Sequence, residues 1–109
     1  MAAIIPAVDK RVKANVVILG GLAAAHTFPE VDQINYITRV TTPVLMINGR
    51  HDAIEPLESA QLTMFRLWGT PAADKKHVVF DTGHGPFPQN PFRKEVLDFL
   101  DKYFGAVSR

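Results

Sequence analysis

Asp52 and His84 are the two residues of this chain whose types and settings suit proton-transfer chemistry. Asp52 lies in Asn48-Gly49-Arg50-His51-Asp52-Ala53-Ile54-Glu55-Pro56, and His84 in Asp81-Thr82-Gly83-His84-Gly85-Pro86. Each follows a strand-like apolar run. A carboxylate beside an imidazole fixes the ring tautomer and stabilises the imidazolium formed when the ring takes a proton. Histidine suits this work because its ordinary pKa lies near neutrality. The plainer alternative is that Asp52 caps the following helix and His84 is a polar loop residue, and spacing alone leaves both readings open.

A nucleophile for such a pair is hard to find. Cysteine is absent, and the only serines are Ser59 and Ser108, neither in a Gly-x-Ser-x-Gly setting. Ser59 is expected to face solvent from the first turn of the helix after Asp52. Thr82 is close to His84 but has nothing to activate it. Asp81 is a second candidate for the acid, although its place at a strand end equally suits a turn. His51 is expected on the same rim as Asp52. His26 and His77 have no partner at metal-ligand spacing and read as surface histidines. Gly20-Gly21 lacks a phosphate-binding fingerprint and reads as a sterically tight exit from a strand. No cofactor and no metal site is expected.

The elements that must position the pair follow from patterning. Ala14 to Gly21, Pro43 to Gly49 and His77 to Asp81 are short, β-branched and nearly continuously apolar. That suits strands buried on both faces of a parallel sheet. Leu57, Ala60, Gln61, Met64, Leu67 and Trp68 follow a helical period, with Gly69 where a C-cap glycine belongs. Asp32 to Val40 predicts a short helix, and Thr41-Thr42-Pro43 an extended lead into the second strand. The last helix is predicted with Asn90 as its cap, Pro91 in its first turn and Gly105 at its end. Phe92, Val96, Leu97, Leu100 and Phe104 form its apolar face. Trp68 and Phe65 read as core or interface residues. Pro86-Phe87-Pro88 reads as a rigid loop with Phe87 exposed beside His84. Strand–helix alternation of this kind predicts a single α/β domain over residues 1–109, a short parallel sheet of about three strands in a three-layer αβα arrangement.

Composition bounds the rest. The 109 residues are 47% hydrophobic, with 12 basic and 11 acidic residues and a net charge of +1. A chain of this size buries roughly 65% of its unfolded surface. Charges are mixed along the chain, so no nucleic-acid stripe is present. Without cysteine there are no disulfides or thiolate metal sites. Met1 to Ala7 is too short for a signal peptide, and Val16 to Ala25 is about half a membrane span. A cytoplasmic protein without a membrane partner is expected.

Taken together, Gly49-Arg50-His51-Asp52-Ala53-Ile54-Glu55-Pro56, then Val78-Val79-Phe80-Asp81-Thr82-Gly83-His84-Gly85, then a final amphipathic helix, resemble the C-terminal third of the α/β-hydrolase fold. The chain especially resembles its prolyl-oligopeptidase-like and dienelactone-hydrolase-like serine hydrolases. The resemblance covers nearly the whole chain. It implies that Asp52 is the acid and His84 the base of an ester or peptide hydrolase triad. It also implies that the nucleophile elbow and oxyanion hole lie outside this chain, which alone is then nearly inactive. The alternative is a non-enzymatic α/β module that assembles through an open sheet edge. A third reading is a small enzyme in which a dimer builds a site around Asp52 and His84. The strand Val16 to Leu19 has no charge or proline to discourage pairing. A homo-oligomer or domain-swapped dimer through that edge is therefore expected.

Overall fold

The computed structural model describes residues 1–22 and 27–107. Three parallel strands, β1 (Asn15–Ile18), β2 (Val44–Gly49) and β3 (Lys75–Phe80), form one sheet in the order β1-β2-β3. The register runs from Asn15↔Val44 to Ile18↔Ile47 on one side of β2, and from Val44↔Lys75 to Gly49↔Phe80 on the other. Around the sheet lie α1 (Ile4–Val8), α2 (Leu62–Leu67) and α3 (Gln89–Phe104). The expected α/β class and parallel sheet are present.

β2 is buried along its whole length, which its unbroken apolar run requires. Its side chains alternate between the two faces. Val44 and Met46 join Val17, Ile37, Val40, Met64 and Trp68. Leu45 and Ile47 join Phe99, flanked by Val16, Val78, Phe80, Phe92 and Val96. Burying each of the fully enclosed large side chains contributes about 1.5–3 kcal/mol. Trp68 Nε1–H meets Met46 Sδ at 3.2 Å, so the indole donor is not stranded in the core.

Several local expectations are corrected. The helix after Asp52 opens with a π turn over Leu57–Gln61 before becoming α2. Gly69 is not a left-handed cap. A Cβ there would meet the carbonyls of Thr38 and Val40, so close approach is what demands glycine. The C-terminal carbonyls of α2 are met instead by Lys75 Nζ, 2.8 Å from Phe65 O. Asp32 to Val40 forms two short 3-10 turns, Gln33–Asn35 and Ile37–Arg39, with Asp32 Oδ1 accepting from Ile34 N–H. α3 begins at Gln89 with Pro88 before it, so Asn90 lies inside the first turn and caps nothing. Gly105, at φ 81°, does end it. The buried face of α3 is Phe92, Val96, Phe99, Leu100 and Tyr103, while Leu97 and Phe104 are exposed. α1 was not foreseen; its only sequence signal is the apolar start of the chain.

β1 ends at Ile18, one residue before Leu19, which adopts φ 58°. That region is costly for a residue with a Cβ. Among the described residues β1 pairs only with β2, and Ile18 is 49% exposed. No helix among the described residues is long and apolar enough to cross a membrane.

Candidate active site

Asp52 and His84 leave the carboxyl ends of the adjacent strands β2 and β3 and meet there, His84 Nδ1 standing 2.7 Å from Asp52 Oδ2. The Asp52 side chain is fully buried, whereas the His84 side chain is 36% exposed. The other carboxylate oxygen, Oδ1, accepts from the Ile54 and Glu55 amides at 2.8 and 3.0 Å. Asp52 does not cap the following helix, whose N-cap is Pro56; it shapes its own turn with one oxygen and holds the imidazole with the other. Burial pushes the Asp52 carboxyl up. The Glu55 amide, the His84 ring and the Ile54 amide together outweigh it and hold the carboxyl below its ordinary value. A carboxylate only accepts hydrogen bonds, so Nδ1 carries a ring proton, and in the neutral ring Nε2 holds the lone pair. Among the described residues no hydrogen bond engages Nε2.

The two loops are locked together by backbone. Arg50 N–H donates to Phe80 O at 2.8 Å, and His51 N–H to Thr82 O at 3.0 Å. Gly49 makes the crossing possible, because a Cβ there would stand 2.5 Å from Thr82 O and closer still to Gly83 O. Leu19 Cδ1 approaches Gly85 from the end of β1, so its left-handed backbone turns the chain beside the base loop.

The remaining candidates separate. Asp81 does not reach His84; it is exposed and faces Arg50 and His51 at 3.2 and 3.3 Å. Ser59 is exposed on the π turn. Ser108 and His26 lie outside the described residues. Thr82 Oγ1 donates back to Gly83 O. His77 is not a surface histidine. It stacks on Phe65 with ring centroids 5.4 Å apart and faces Asn48 Oδ1 at 3.0 Å, and burial lowers its pKa. Phe87 is not exposed as expected either; it is half-buried, stacked on Phe92 and tilted against Phe80. The tight-exit reading of Gly20-Gly21 fits the geometry, since Cβ atoms there would collide with Val17 and with Glu55.

Three polar residues near the site were not singled out from sequence. Asn48 Nδ2 donates to Gly20 O at 2.9 Å, joining the end of β1 to β2. Gln61 is fully buried beneath the acid loop. Glu55 places a buried, unpaired Oε2 against Gly21. Burial, then the Asp52 charge, raise its pKa, and His84 opposes them. Asn48 and Gln61 did leave a signal, as polar residues inside an apolar run and an apolar stripe. Among the described residues no group of three or more His, Cys, Asp or Glu is arranged to hold a metal.

No protein-family model and no curated protein sequence matches the chain. Solved structures do. A cold-adapted esterase from an Arctic intertidal metagenomic library superposes with a TM-score of 0.75 at 26% identity, covering 91% of this chain and 42% of that one. An esterase of Pyrococcus furiosus gives a TM-score of 0.72 at 17% identity, covering 94% of this chain and 49% of that one. A monoacylglycerol lipase of Paleococcus ferrophilus gives 0.56 at 24% identity, covering 65% and 28%. The latter two speak to fold alone. This chain is thus similar in architecture to α/β-hydrolase-fold esterases and spans about 42% of the first one's length.

Proposed function

We propose that this chain carries the acid–base arm of a serine-type ester hydrolase and turns over substrate only alongside a segment that supplies the nucleophile and oxyanion hole. The observation that carries the reading is the 2.7 Å contact between His84 Nδ1 and a fully buried Asp52 carboxylate, with Nε2 uncommitted. In the reaction, His84 Nε2 takes the proton of an attacking hydroxyl as its oxygen bonds to the ester carbonyl carbon. Asp52 stabilises the imidazolium. The same proton then passes to the departing alkoxide as its bond to that carbon breaks. The esterase neighbours support ester over peptide substrates. The Gly-x-x-Asp-x-x-x-Pro and Gly-His settings support the prolyl-oligopeptidase-like and dienelactone-hydrolase-like branch. The absence of cysteine accords with a cytosolic setting.

The test is complementation with a hydrolase-fold segment bearing Gly-x-Ser-x-Gly, read by p-nitrophenyl ester hydrolysis. The chain alone should stay at background. The complemented chain should gain turnover that falls by about 10⁴-fold in Asp52→Ala and His84→Ala. Complemented turnover indifferent to both substitutions would refute the reading.

A second reading rests on a different observation. Beside the open edge of β1 lies a groove of about 440 Å³ lined by Ile18, Phe92, Arg93, Val96 and Leu97. Unpaired strand edges and apolar patches are covered in stable proteins. Self-association through this edge is the non-enzymatic alternative, and it is compatible with the first. Sedimentation velocity should show an oligomer at micromolar concentration that Ile18→Lys dissociates; a strict monomer would remove it.

A further inference from the structure

The acid–base chemistry above makes no use of Gln61, yet Gln61 closes the loop that presents the acid. The loop leaves β2 at Gly49, carries Asp52 and ends at Glu55. Gln61 Nε2 stands 2.8 Å from Gly49 O and 2.8 Å from Glu55 O. A primary amide has two N–H groups, and both are spent here. Two carbonyls aimed at one atom admit only a donor, so the orientation of the amide is decided by its surroundings. The orientation leaves Oε1 buried with no partner among the described residues. An unpaired buried acceptor is ordinarily avoided, so its presence points to what the nitrogen does.

The backbone is built to the same end. The π turn Leu57–Gln61 sets Ala60 N–H and Gln61 N–H on the single carbonyl of Pro56, at 2.9 and 3.2 Å. Wide turns of this kind are rare and occur often at functional sites. Its last residue, Gln61, is fully buried. Glu55, whose carbonyl Gln61 holds, is also the residue whose N–H donates to Asp52 Oδ1.

We propose that Gln61 is the positioning residue of the acid arm. By gathering the Gly49 and Glu55 carbonyls on one nitrogen it fixes the span of the loop, and with it the place where Asp52 Oδ2 meets His84 Nδ1. This rests on the reading of Asp52 and His84 as an acid–base pair.

The experiment uses the whole chain without a complementing segment, so it is independent of turnover. The Asp52 carboxyl is titrated by NMR, and the low-field Nδ1 proton of His84 is followed in the same samples. Gln61→Met fills the same space without the donors. It should raise the Asp52 midpoint by about one pH unit, tenfold in the protonation equilibrium, and weaken the Nδ1 signal. Gln61→Asn, one methylene too short to span both carbonyls, should do the same and serves if the methionine variant does not fold. Thr70→Val removes another buried polar contact, Thr70 Oγ1 to Thr42 O at 2.6 Å, far from the loop. It should lower stability and leave the Asp52 midpoint in place. An unmoved midpoint in a folded Gln61 variant, or an equal movement in Thr70→Val, overturns the proposal while the acid–base reading stands. If neither Gln61 variant folds, Gln61 is a structural residue and the proposal falls. A wild-type chain lacking the Nδ1 signal removes the pair itself, and this role with it.

Discussion

Gly49→Ala is the smallest change that should take the candidate site apart. Gly49 lies where β2 passes under the base loop. A Cβ there would stand 2.5 Å from Thr82 O and 2.9 Å from the Gly83 carbonyl carbon, where contacts below 3.0 Å are not tolerated. Both obstacles are backbone, so no rotamer change relieves them. Gly83 O stands closer still, so residues 82 and 83 must retreat by about 1 Å, and His84 is the next residue. Its bond to Asp52 is 2.7 Å, and a retreat of about 1 Å carries it beyond the range of a hydrogen bond. Overpacking of this kind costs about 1–3 kcal/mol, and losing a charge-assisted hydrogen bond about 1.5–3 kcal/mol. A combined loss near 3 kcal/mol lowers Tm by about 12 °C or more in a domain of this size. Gly83→Ala is the control. A Cβ there meets only His51 O at 3.9 Å, an ordinary contact, so this variant should be close to silent although it adjoins His84. Thermal unfolding and the His84 Nδ1 proton signal report both effects. A Gly49→Ala chain with wild-type Tm and an intact signal would refute the crossing argument, as would equal damage from Gly83→Ala.

Two further outcomes follow from charge. The Asp52 carboxyl is held below its ordinary 3.8, so its stabilisation is complete above that value and is lost as the pH falls through the lower folded value. Asp52→Asn should therefore cost about 1–3 kcal/mol at neutral pH and flatten the acid limb of a urea-denaturation series; an unchanged limb would contradict it. Glu55 is held above its ordinary 4.5, so it costs stability as the pH rises from there through the folded value. Glu55→Gln should raise the urea midpoint at pH 7 and have no such effect near pH 4, and a lower midpoint at pH 7 would show that the carboxylate is paired after all.

The strands and their parallel sense were legible because they rest on short-range pattern, whereas spacing left the pairing of Asp52 with His84 open and the resemblance supplied it. β2 is continuously apolar, and both site residues sit just beyond strand ends, where a parallel sheet gathers its functional groups. The misreadings share a different origin. Gly69 is a glycine because another part of the backbone passes within contact distance, and periodicity carries no record of that neighbour. His77 was read as a surface residue for want of a metal partner, but its partners are Phe65 and Asn48, on α2 and β2. Leu97 and Phe104 are apolar and fall on the expected face of α3, yet the core takes Phe99 and Tyr103 instead. Helical spacing admits neighbouring stripes, and only the opposing surface selects among them.

The site also has a logic of assembly. The polar links that fix the two loops arise inside the described residues: Arg50 to Phe80 and His51 to Thr82 join the Asp52 and His84 loops, and Gln61 to Gly49 and Glu55 closes the Asp52 loop. None of them depends on the open edge of β1. The acid–base contact is therefore preorganised on β2 and β3 and the loops that leave them. A segment arriving at that edge would have only to bring a hydroxyl within reach of Nε2, without remodelling the pair. On the proposed function, dependence on complementation should then appear in turnover and in oligomeric state, while the Asp52–His84 contact stays the same with or without the partner.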